Sequence, residues 1–342
     1  MKKFTKVLSL LLILVLLLSF GSAQRRLRFG LFICSLAHPF FLDMKDGAED
    51  AARKLDVALA VFDARNDVEL QTKQIEDAIT MRFDAILLNP ITAEGLVTAV
   101  KKANAARIPV FTLDRDVIGG ERVCYIGTDN VKAAELGGKK LWELLQATKR
   151  PTPYNVVILE GLPGASSAIE REKGFKNALK PHIDAGHIKI VADLTARFDR
   201  ATGLKVMEDI IAREKKIDAV IAANDEMALG ALEALKSAGF KVGFPDGVII
   251  VGFDAITDAV EAVKRGEFAA TVAQAPYLMG YWGVDAAYQY KKLRWTPPKD
   301  TPIYAPTGAK LLGTPVMVVT RDNVGKLSEV VRTPVPIPGS KR

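Results

Sequence analysis

Cysteine, histidine and aromatic residues are scarce in this chain of 342 residues, which has 2 cysteines, 3 histidines and 7% aromatic residues. Two cysteines cannot form the disulfide framework of a small secreted domain, and three histidines leave little material for a catalytic triad or a zinc site. Cys34 and Cys124 each lie in an apolar run, which is more typical of buried thiols than of a disulfide, although an oxidising compartment would permit one. The length allows two domains with separate cores.

Long hydrophobic runs are absent except near the start, and that run is too short to cross a membrane. Residues 7–20 are almost all apolar, whereas a transmembrane helix needs about 20 apolar residues. Three lysines lie among the first six residues, and Gly21-Ser22-Ala23 follows the run. This layout predicts a secretory signal peptide over residues 1–23, cleaved after Ala23. Because no cysteine follows the cleavage site, we expect no lipid anchor and predict a periplasmic protein.

A concentrated patch of positive charge is also lacking. The formal charge of +7 falls to +4 when the three lysines of the signal peptide are removed, leaving 44 basic and 40 acidic residues. Nucleic-acid-binding surfaces need basic residues gathered on one face. The only short cluster, Arg25, Arg26 and Arg28, is expected to flank the first strand in solvent. No nucleic-acid partner is therefore predicted.

What the chain does have is a regular alternation of short Val- and Ile-rich runs with amphipathic stretches. Strands are predicted over residues 29–35, 57–63, 85–89, 110–114, 155–160, 188–194, 219–223 and 248–253. Helices are predicted over residues 40–55, 69–81, 92–106, 166–179, 201–214 and 226–238. Strands that alternate with helices indicate parallel sheets covered on both faces, so the predicted fold class is α/β.

The two halves of the chain end their strands in the same way. In each half, one strand ends in Asn and the strand after the next helix ends in Asp: Asn89 and Asp114, then Asn224 and Asp254. Ligands bind beyond the carboxyl ends of strands in open parallel sheets, so two facing lobes would bring these four side chains to one cleft. Taken singly, each is as easily a helix cap or a turn residue. Their repetition favours a site.

Several other side chains suit a ligand with many hydroxyl groups. A sugar needs planar groups that form paired hydrogen bonds, and aromatic rings that cover its C–H faces. Arg115 follows Asp114, Arg171 lies in a polar helical stretch, and Gln274 follows an apolar run. Phe40 and Phe41 follow the first strand, directly after His38-Pro39, and Phe198 stands among charged residues.

Six short motifs together resemble one known family. They are His38-Pro39-Phe40-Phe41, Leu113-Asp114-Arg115, Thr128-Asp129-Asn130, Phe198-Asp199-Arg200, the sequence NDEMALGA at residues 224–231, and Val251-Gly252-Phe253-Asp254. With these motifs, residues 27–323 resemble the ribose-binding protein family of periplasmic substrate-binding proteins for ABC sugar importers.

The resemblance implies a type I periplasmic-binding fold, with two Rossmann-like lobes joined by three crossing segments. One lobe would comprise residues 24–128 and 275–312, and the other residues 129–274 and 313–324. Carried over by position, the stacking aromatics fall on Phe40, Phe41 and Phe198, and the hydrogen-bonding groups on Asn89, Asp114, Arg115, Arg171, Asn224, Asp254 and Gln274. The implied function is capture of a monosaccharide or polyol, by a monomer without a cofactor, and its delivery to the membrane permease of an ABC importer.

The sequence departs from the family's pattern in three places. His38 stands where the ribose binders have Asn, so the pocket is expected to suit another pentose, a hexose or a polyol. Residues 294–312 are longer than the usual approach to the last strand, and are expected to form either a wall of the cleft or a surface loop. Residues 325–342 extend past the usual end and are expected to form a loosely ordered tail.

Other functions fit the sequence less well. A transcriptional regulator with this fold would begin with a helix-turn-helix segment, for which the chain leaves no room before the first strand. The sequence has few of the residues that an enzyme of this fold would need. No glycine-rich nucleotide loop follows the first strand, and His182 and His187 are expected to flank a surface turn rather than to bind a metal. A sensor that presents its ligand to a chemoreceptor remains an alternative to transport.

Overall fold

Two separate β-sheets organise the part of the chain that the computed structural model describes, residues 25–341. The predicted signal peptide, residues 1–23, lies outside this range. The strands are β1 (Arg28–Ile33), β2 (Ala58–Asp63), β3 (Ala85–Leu88), β4 (Val110–Leu113), β5 (Cys124–Gly127), β6 (Tyr154–Glu160), β7 (Ile188–Thr195), β8 (Ala219–Ala222), β9 (Ile249–Asp254), β10 (Ala270–Ala273), β11 (Ile303–Tyr304), β12 (Ala309–Gly313) and β13 (Met317–Val319).

The helices alternate with these strands along the chain. They are α1 (Pro39–Lys54), α2 (Val68–Thr80), α3 (Val97–Ala105), α4 (Asn130–Ala147), α5 (Ser166–Asp184), α6 (Arg200–Arg213), α7 (Asp225–Ser237), α8 (Thr257–Arg265), α9 (Pro276–Leu293) and α10 (Leu327–Arg332), the last preceded by a 3₁₀ turn at Val324–Lys326.

Each sheet is the centre of one lobe. The first lobe has the strand order β11-β12-β5-β4-β3-β1-β2, and the second has β13-β10-β9-β8-β6-β7. All pairings between these strands are parallel except β11 with β12 and β10 with β13. The prediction of parallel α/β sheets is therefore confirmed, with a short antiparallel strand added at one edge of each.

Burial on both faces of the sheets explains why the strands are apolar throughout. All six residues of β9 are buried, as are all four residues of β3, because helices cover both sides of each sheet. Cys34 and Cys124 lie in this interior as free thiols, so they form no disulfide. Burial raises the pKa of the Cys34 thiol to about 11.

One predicted helix begins later than expected because its first residues contact the other lobe. The sequence predicted a helix over residues 92–106, whereas α3 begins at Val97. The amide of Ala93 donates a hydrogen bond to the carbonyl of Gly164 in the second lobe, at 3.0 Å. Residues 91–92 instead line the space between the lobes.

The chain passes between the lobes at three adjacent places. It leaves β5 of the first sheet for α4 of the second lobe, returns from β10 to α9, and crosses again from β12 to β13. Helix α9 packs against α1 and the first sheet, and thus belongs to the first lobe. These crossings join the two lobes.

The stretch 294–312 is neither a wall of the cleft nor a loose surface loop. It contains β11 and most of β12, which extend the first sheet beyond β5. The indole of Trp295 is 1% exposed and donates to the carbonyl of Pro338, at 3.2 Å. Residues 294–312 are called the edge hairpin below.

The expectation of a loosely ordered tail is wrong. After β13 in the second sheet, the chain returns to the first lobe and packs along α9. Ile337 is 2% exposed in the first lobe's core, and the indole of Trp282 donates to the carbonyl of Val335, at 2.8 Å. Arg332 forms an ion pair with Asp43 of α1, at 2.7 Å. Residues 320–341, called the C-terminal strap below, therefore connect the lobes a fourth time.

Candidate ligand-binding cleft

A cleft of about 610 Å³ lies between the lobes, where the strands of both sheets end. Nine of the eleven side chains predicted from the sequence line it, and two lie behind it. The lining residues are His38, Phe40, Phe41, Asp114, Arg115, Arg171, Phe198, Asn224 and Asp254. The other two, Asn89 and Gln274, are 0% and 1% exposed and hold the cleft's carboxylates from behind.

In the first lobe, the amide of Asn89 fixes the carboxylate of Asp114. Its Nδ2 donates to Asp114 Oδ2 and to the carbonyl of Leu113, both at 3.1 Å, and its Oδ1 accepts from the amide of Cys34, at 3.2 Å. The other carboxylate oxygen, Asp114 Oδ1, is buried and has no hydrogen-bond partner in the described structure. Burial raises the pKa of Asp114, although the guanidinium of Arg115 acts to lower it.

In the second lobe, Gln274 and Arg171 fix the carboxylate of Asp254. Gln274 Nε2 donates to Asp254 Oδ1 at 2.7 Å, and Arg171 Nη1 lies 3.2 Å from the same oxygen. Arg171 Nη1 also donates to the carbonyl of Ala223, at 2.7 Å. Burial raises the pKa of Asp254 to about 7, and the Arg171 guanidinium opposes that rise. Each lobe thus presents a carboxylate beside a guanidinium.

Aromatic rings from both lobes flank the guanidinium of Arg115. Its central carbon lies 5.4 Å from the ring centre of Phe41 and 5.5 Å from that of Phe198. Arg171 lies 4.0 Å from the ring centre of Phe253, which fixes the second guanidinium in a similar way. Cation–π contacts of this kind hold a guanidinium plane while leaving donors at its edge for a ligand.

His38 joins the two lobes across the cleft. Its Nδ1 accepts from the amide of Phe40 at 3.1 Å, which caps α1, and its Nε2 lies 3.0 Å from Asn224 Nδ2. A neutral imidazole accepts at only one nitrogen, and here that nitrogen is Nδ1. Protonation of Nδ1 would break the helix cap, so this contact opposes protonation. Burial, followed by the charges of Arg115 and Arg171, lowers the pKa of His38 to about 3.

Unusual backbone conformations direct three of the cleft side chains. Asp114, Phe198 and Asp254 have φ values of 61°, 61° and 112°. Non-glycine residues seldom adopt these values, and such strain is concentrated at functional sites. Asn224 is different, because its Oδ1 accepts from the amide of Met227 at 3.0 Å and caps α7. Asn224 therefore both caps a helix and lines the cleft.

The sequence analysis missed several polar residues of the cleft. Arg200 and Glu226 form an ion pair at 2.6 Å and line it beside Phe198 and Asn224. Both residues belong to motifs that carried the family resemblance. They could have been predicted by extending the site assignment from Phe198 and Asn224 to the other polar residues of the same motifs. Asn66 also lines the cleft, but only the turn after β2 places it there.

Metal binding finds little support among the described residues. The one grouping of acidic side chains close enough to share an ion there is Glu160, Glu172 and Asp193. The ammonium of Lys176 lies within 3.7 Å of all three and occupies the position between them that an ion would take. His182 stacks on Trp142, with ring centres 3.8 Å apart.

Two lobes that meet at a polar cleft beyond their strand ends define a solute-binding protein of the type I periplasmic class. The chain belongs to the family described as the periplasmic binding protein domain, whose family model matches residues 29–293. The interpretation as a binding protein rather than an enzyme is thereby confirmed.

Known proteins similar to the chain come from the same class. The ribose import binding protein RbsB of Haemophilus influenzae is 40% identical over 287 residues, which cover 84% of this chain and 92% of that protein. The crystal structure of a galactofuranose-binding protein has a TM-score of 0.79 and 30% identity, covering 89% and 99% of the two chains. The Caulobacter myo-inositol-binding protein, solved with myo-inositol, has a TM-score of 0.78 and 28% identity, covering 91% and 98%.

Proposed function

We propose that the chain captures a monosaccharide or polyol in its interlobe cleft and delivers it to the permease of an ABC importer. The observation that carries this proposal is the pairing of a buried carboxylate with a guanidinium in each lobe, with phenylalanine rings beside them. Asp114 and Asp254 offer acceptors to hydroxyl groups, Arg115 and Arg171 offer donors, and the rings of Phe40, Phe41 and Phe198 offer apolar faces.

The charge balance of the cleft favours a neutral ligand. Asp254 lies 3.2 Å from Arg171, and Asp114 lies 3.7 Å from Arg115, so each carboxylate has a positive partner from the protein. An amino acid would bring its own ammonium and carboxylate and would need protein charges left unpaired for them. A polyhydroxylated neutral molecule needs only the donors and acceptors that remain.

Titration calorimetry with D-ribose, L-arabinose, D-galactose, D-allose, myo-inositol and a set of amino acids tests the ligand class. At least one sugar or polyol should bind with micromolar or lower Kd, and the amino acids should give no heat beyond dilution. Tight binding of an amino acid without any sugar response would overturn the proposal.

The cellular part of the proposal concerns location and partners. The family is periplasmic, and we propose that residues 1–23 direct export as a signal peptide. No helix in residues 25–341 is long and apolar enough to span a membrane. We further propose that the protein acts as a monomer. Loss of sugar uptake on deletion of this gene supports transport, whereas loss of the chemotactic response with normal uptake supports the sensor alternative.

A further inference from the structure

Tyr304 of the edge hairpin contacts the second lobe behind the cleft. Its hydroxyl donates to Glu170 Oε2 of α5, and both side chains are only 4% exposed. Neither residue lines the cleft. The contact joins the two lobes outside the lining of the cleft.

From Glu170, two hydrogen bonds lead to a guanidinium of the cleft. Asn130 Nδ2 donates to the same oxygen of Glu170 at 3.2 Å, and Asn130 Oδ1 accepts from Arg171 Nε at 2.9 Å. Asn130 is fully buried, and both ends of its amide are used, so its orientation is fixed. Glu170 therefore helps to fix Asn130, and through it Arg171 Nε, together with the carbonyl of Thr128, which accepts from Asn130 Nδ2 at 3.4 Å.

Tyr304 also supports the opposite side of the cleft. Its ring centre lies 5.0 Å from that of Tyr125 in β5. The hydroxyl of Tyr125 donates to the backbone carbonyl of Asp114, at 2.7 Å, and holds the strained turn that carries this carboxylate. One side chain of the edge hairpin thus adjoins the supports of Arg171 and of Asp114.

We propose that Tyr304 is a positioning residue for ligand binding, which acts on Arg171 through Glu170 and Asn130. The inference rests on the proposed function, because it takes Arg171 as a ligand-binding group. It assigns a role in binding to the edge hairpin, although this hairpin does not line the cleft.

The variant Tyr304→Phe tests this role, because it removes the hydroxyl and keeps the ring that packs on Tyr125. Affinity is measured by calorimetry, using the one compound among D-ribose, L-arabinose, D-galactose, D-allose and myo-inositol that the wild type binds most tightly. We expect affinity to fall more than twofold and by about tenfold at most, because a buried hydrogen bond contributes about 0.5–1.5 kcal/mol and only part of this acts on Arg171. Tyr281→Phe is the matched control, since the Tyr281 hydroxyl accepts from Lys54 Nζ in an exposed hydrogen bond of 3.0 Å, and this variant should bind as the wild type does.

A second measurement follows Arg171 itself and needs no ligand. In protein labelled with ¹⁵N-arginine, the Nε–H signal of Arg171 is the one absent from Arg171→Lys. Tyr304→Phe should shift this signal, and Tyr281→Phe should leave it in place. In a cycle with Asn130→Ser, the double variant should lose no more affinity than the weaker-binding single variant, because both changes break one chain of contacts.

Affinity within twofold of wild type in Tyr304→Phe, an unmoved Arg171 signal, or additive losses in the cycle would each overturn the inference. If the wild type bound no compound of the panel, the proposed function would fail, while the Arg171 signal would still test the contacts behind it.

Discussion

Asp114 and Asp254 are each held by a buried amide side chain that does not line the cleft. Asn89 holds Asp114 in the first lobe, and Gln274 holds Asp254 in the second. A carboxylate has acceptor sites to spare, so an amide donor behind it fixes its plane and leaves the remaining lone pairs for hydroxyl groups. We therefore expect Asn89 and Gln274 to influence binding by orienting these two carboxylates.

Asp114→Ala should abolish most binding and leave the protein folded. Each lost hydrogen bond to a charged group costs about 1.5–3 kcal/mol, which corresponds to a tenfold or greater rise in Kd. Asn89 keeps its bonds to Leu113 and Cys34, so the strand ends should survive. Calorimetry gives the Kd, and circular dichroism gives the melting temperature.

Asp209→Ala, on the exposed face of α6, is the matched control and should change neither value. Unchanged sugar binding in Asp114→Ala would contradict its place in the site, and a variant too unstable to purify would make Asp114 a structural residue.

His38 should make affinity depend on pH. In the closed cleft its pKa is lowered to about 3, whereas an exposed histidine has a pKa of about 6.5. Closure then requires the neutral ring, so affinity is full above pH 7 and falls as the pH drops below 6.5. As the pH falls from 7.5 to 5.5, protonation of His38 in the open state should lower the ligand affinity roughly tenfold.

Comparison with His38→Asn isolates this effect. Asp254, whose pKa burial raises to about 7, contributes in the opposite direction but is present in both proteins. The ratio of the two affinities should change with pH, and the variant should shift in preference toward ribose. A constant ratio together with an unchanged preference would leave His38 without a role in binding.

At the scale of elements, the sequence predicts best where its periodicity is clean. Strands such as β9 and helices such as α7 fall within a residue or two of their predicted bounds, because continuous apolar runs and one-sided helices are distinctive. Helix α9 escaped prediction because it is buried on most sides. A Cβ on Gly280 would lie 1.9 Å from the carbonyl oxygen of Met44 in α1, so small residues replace the usual apolar stripe.

The residues of the candidate site also fall into those that the sequence predicts and those that it does not. The strand-end rule and the family resemblance found the carboxylates, guanidiniums and rings of the cleft. They assigned no role to Asn130, Glu170 or Tyr304, which do not line the cleft. Tyr304 is brought to Glu170 by the pairing of β11 with β12, and local sequence does not encode a contact between residues 134 positions apart.

The C-terminal strap should contribute stability that a loose tail would not. Ile337 is buried against the first lobe, and its truncation in Ile337→Ala should lower the free energy of unfolding by about 2–5 kcal/mol. Val335, which is 46% exposed two residues earlier, supplies the control, and Val335→Ala should cost about 0.5 kcal/mol or less. Urea midpoints at equal m-value give both numbers. Equal effects of the two changes would argue against a packed strap.

At the scale of the whole molecule, the lobes touch across the cleft in this structure. Ala93 bonds to Gly164 at 3.0 Å, and the amide of Asp116 donates to Ser166 Oγ at 3.2 Å. A ligand that contacts both lobes binds the closed arrangement better than an open one and should shift the population toward it. Small-angle scattering should then show a smaller radius of gyration at saturating sugar.

The variant Asp114→Ala at the same sugar concentration is the control for compaction and should stay at the ligand-free radius. An unchanged radius for the wild type at saturation would indicate either a cleft that is closed before the ligand arrives or a site confined to one lobe.

Because the C-terminal strap packs on the first lobe, it determines where fluorophores must be placed to detect closure of the cleft. Arg25 is tied to Asp84, and the ammonium of Lys341 donates to the carbonyls of Leu293 and Arg294, so both ends of the described chain sit on the same rigid body. Fluorescent proteins fused at the two ends would travel together and give little change in energy transfer when the cleft shuts. A dye at Lys341 paired with one at the exposed Ser237 of α7 would span the two lobes.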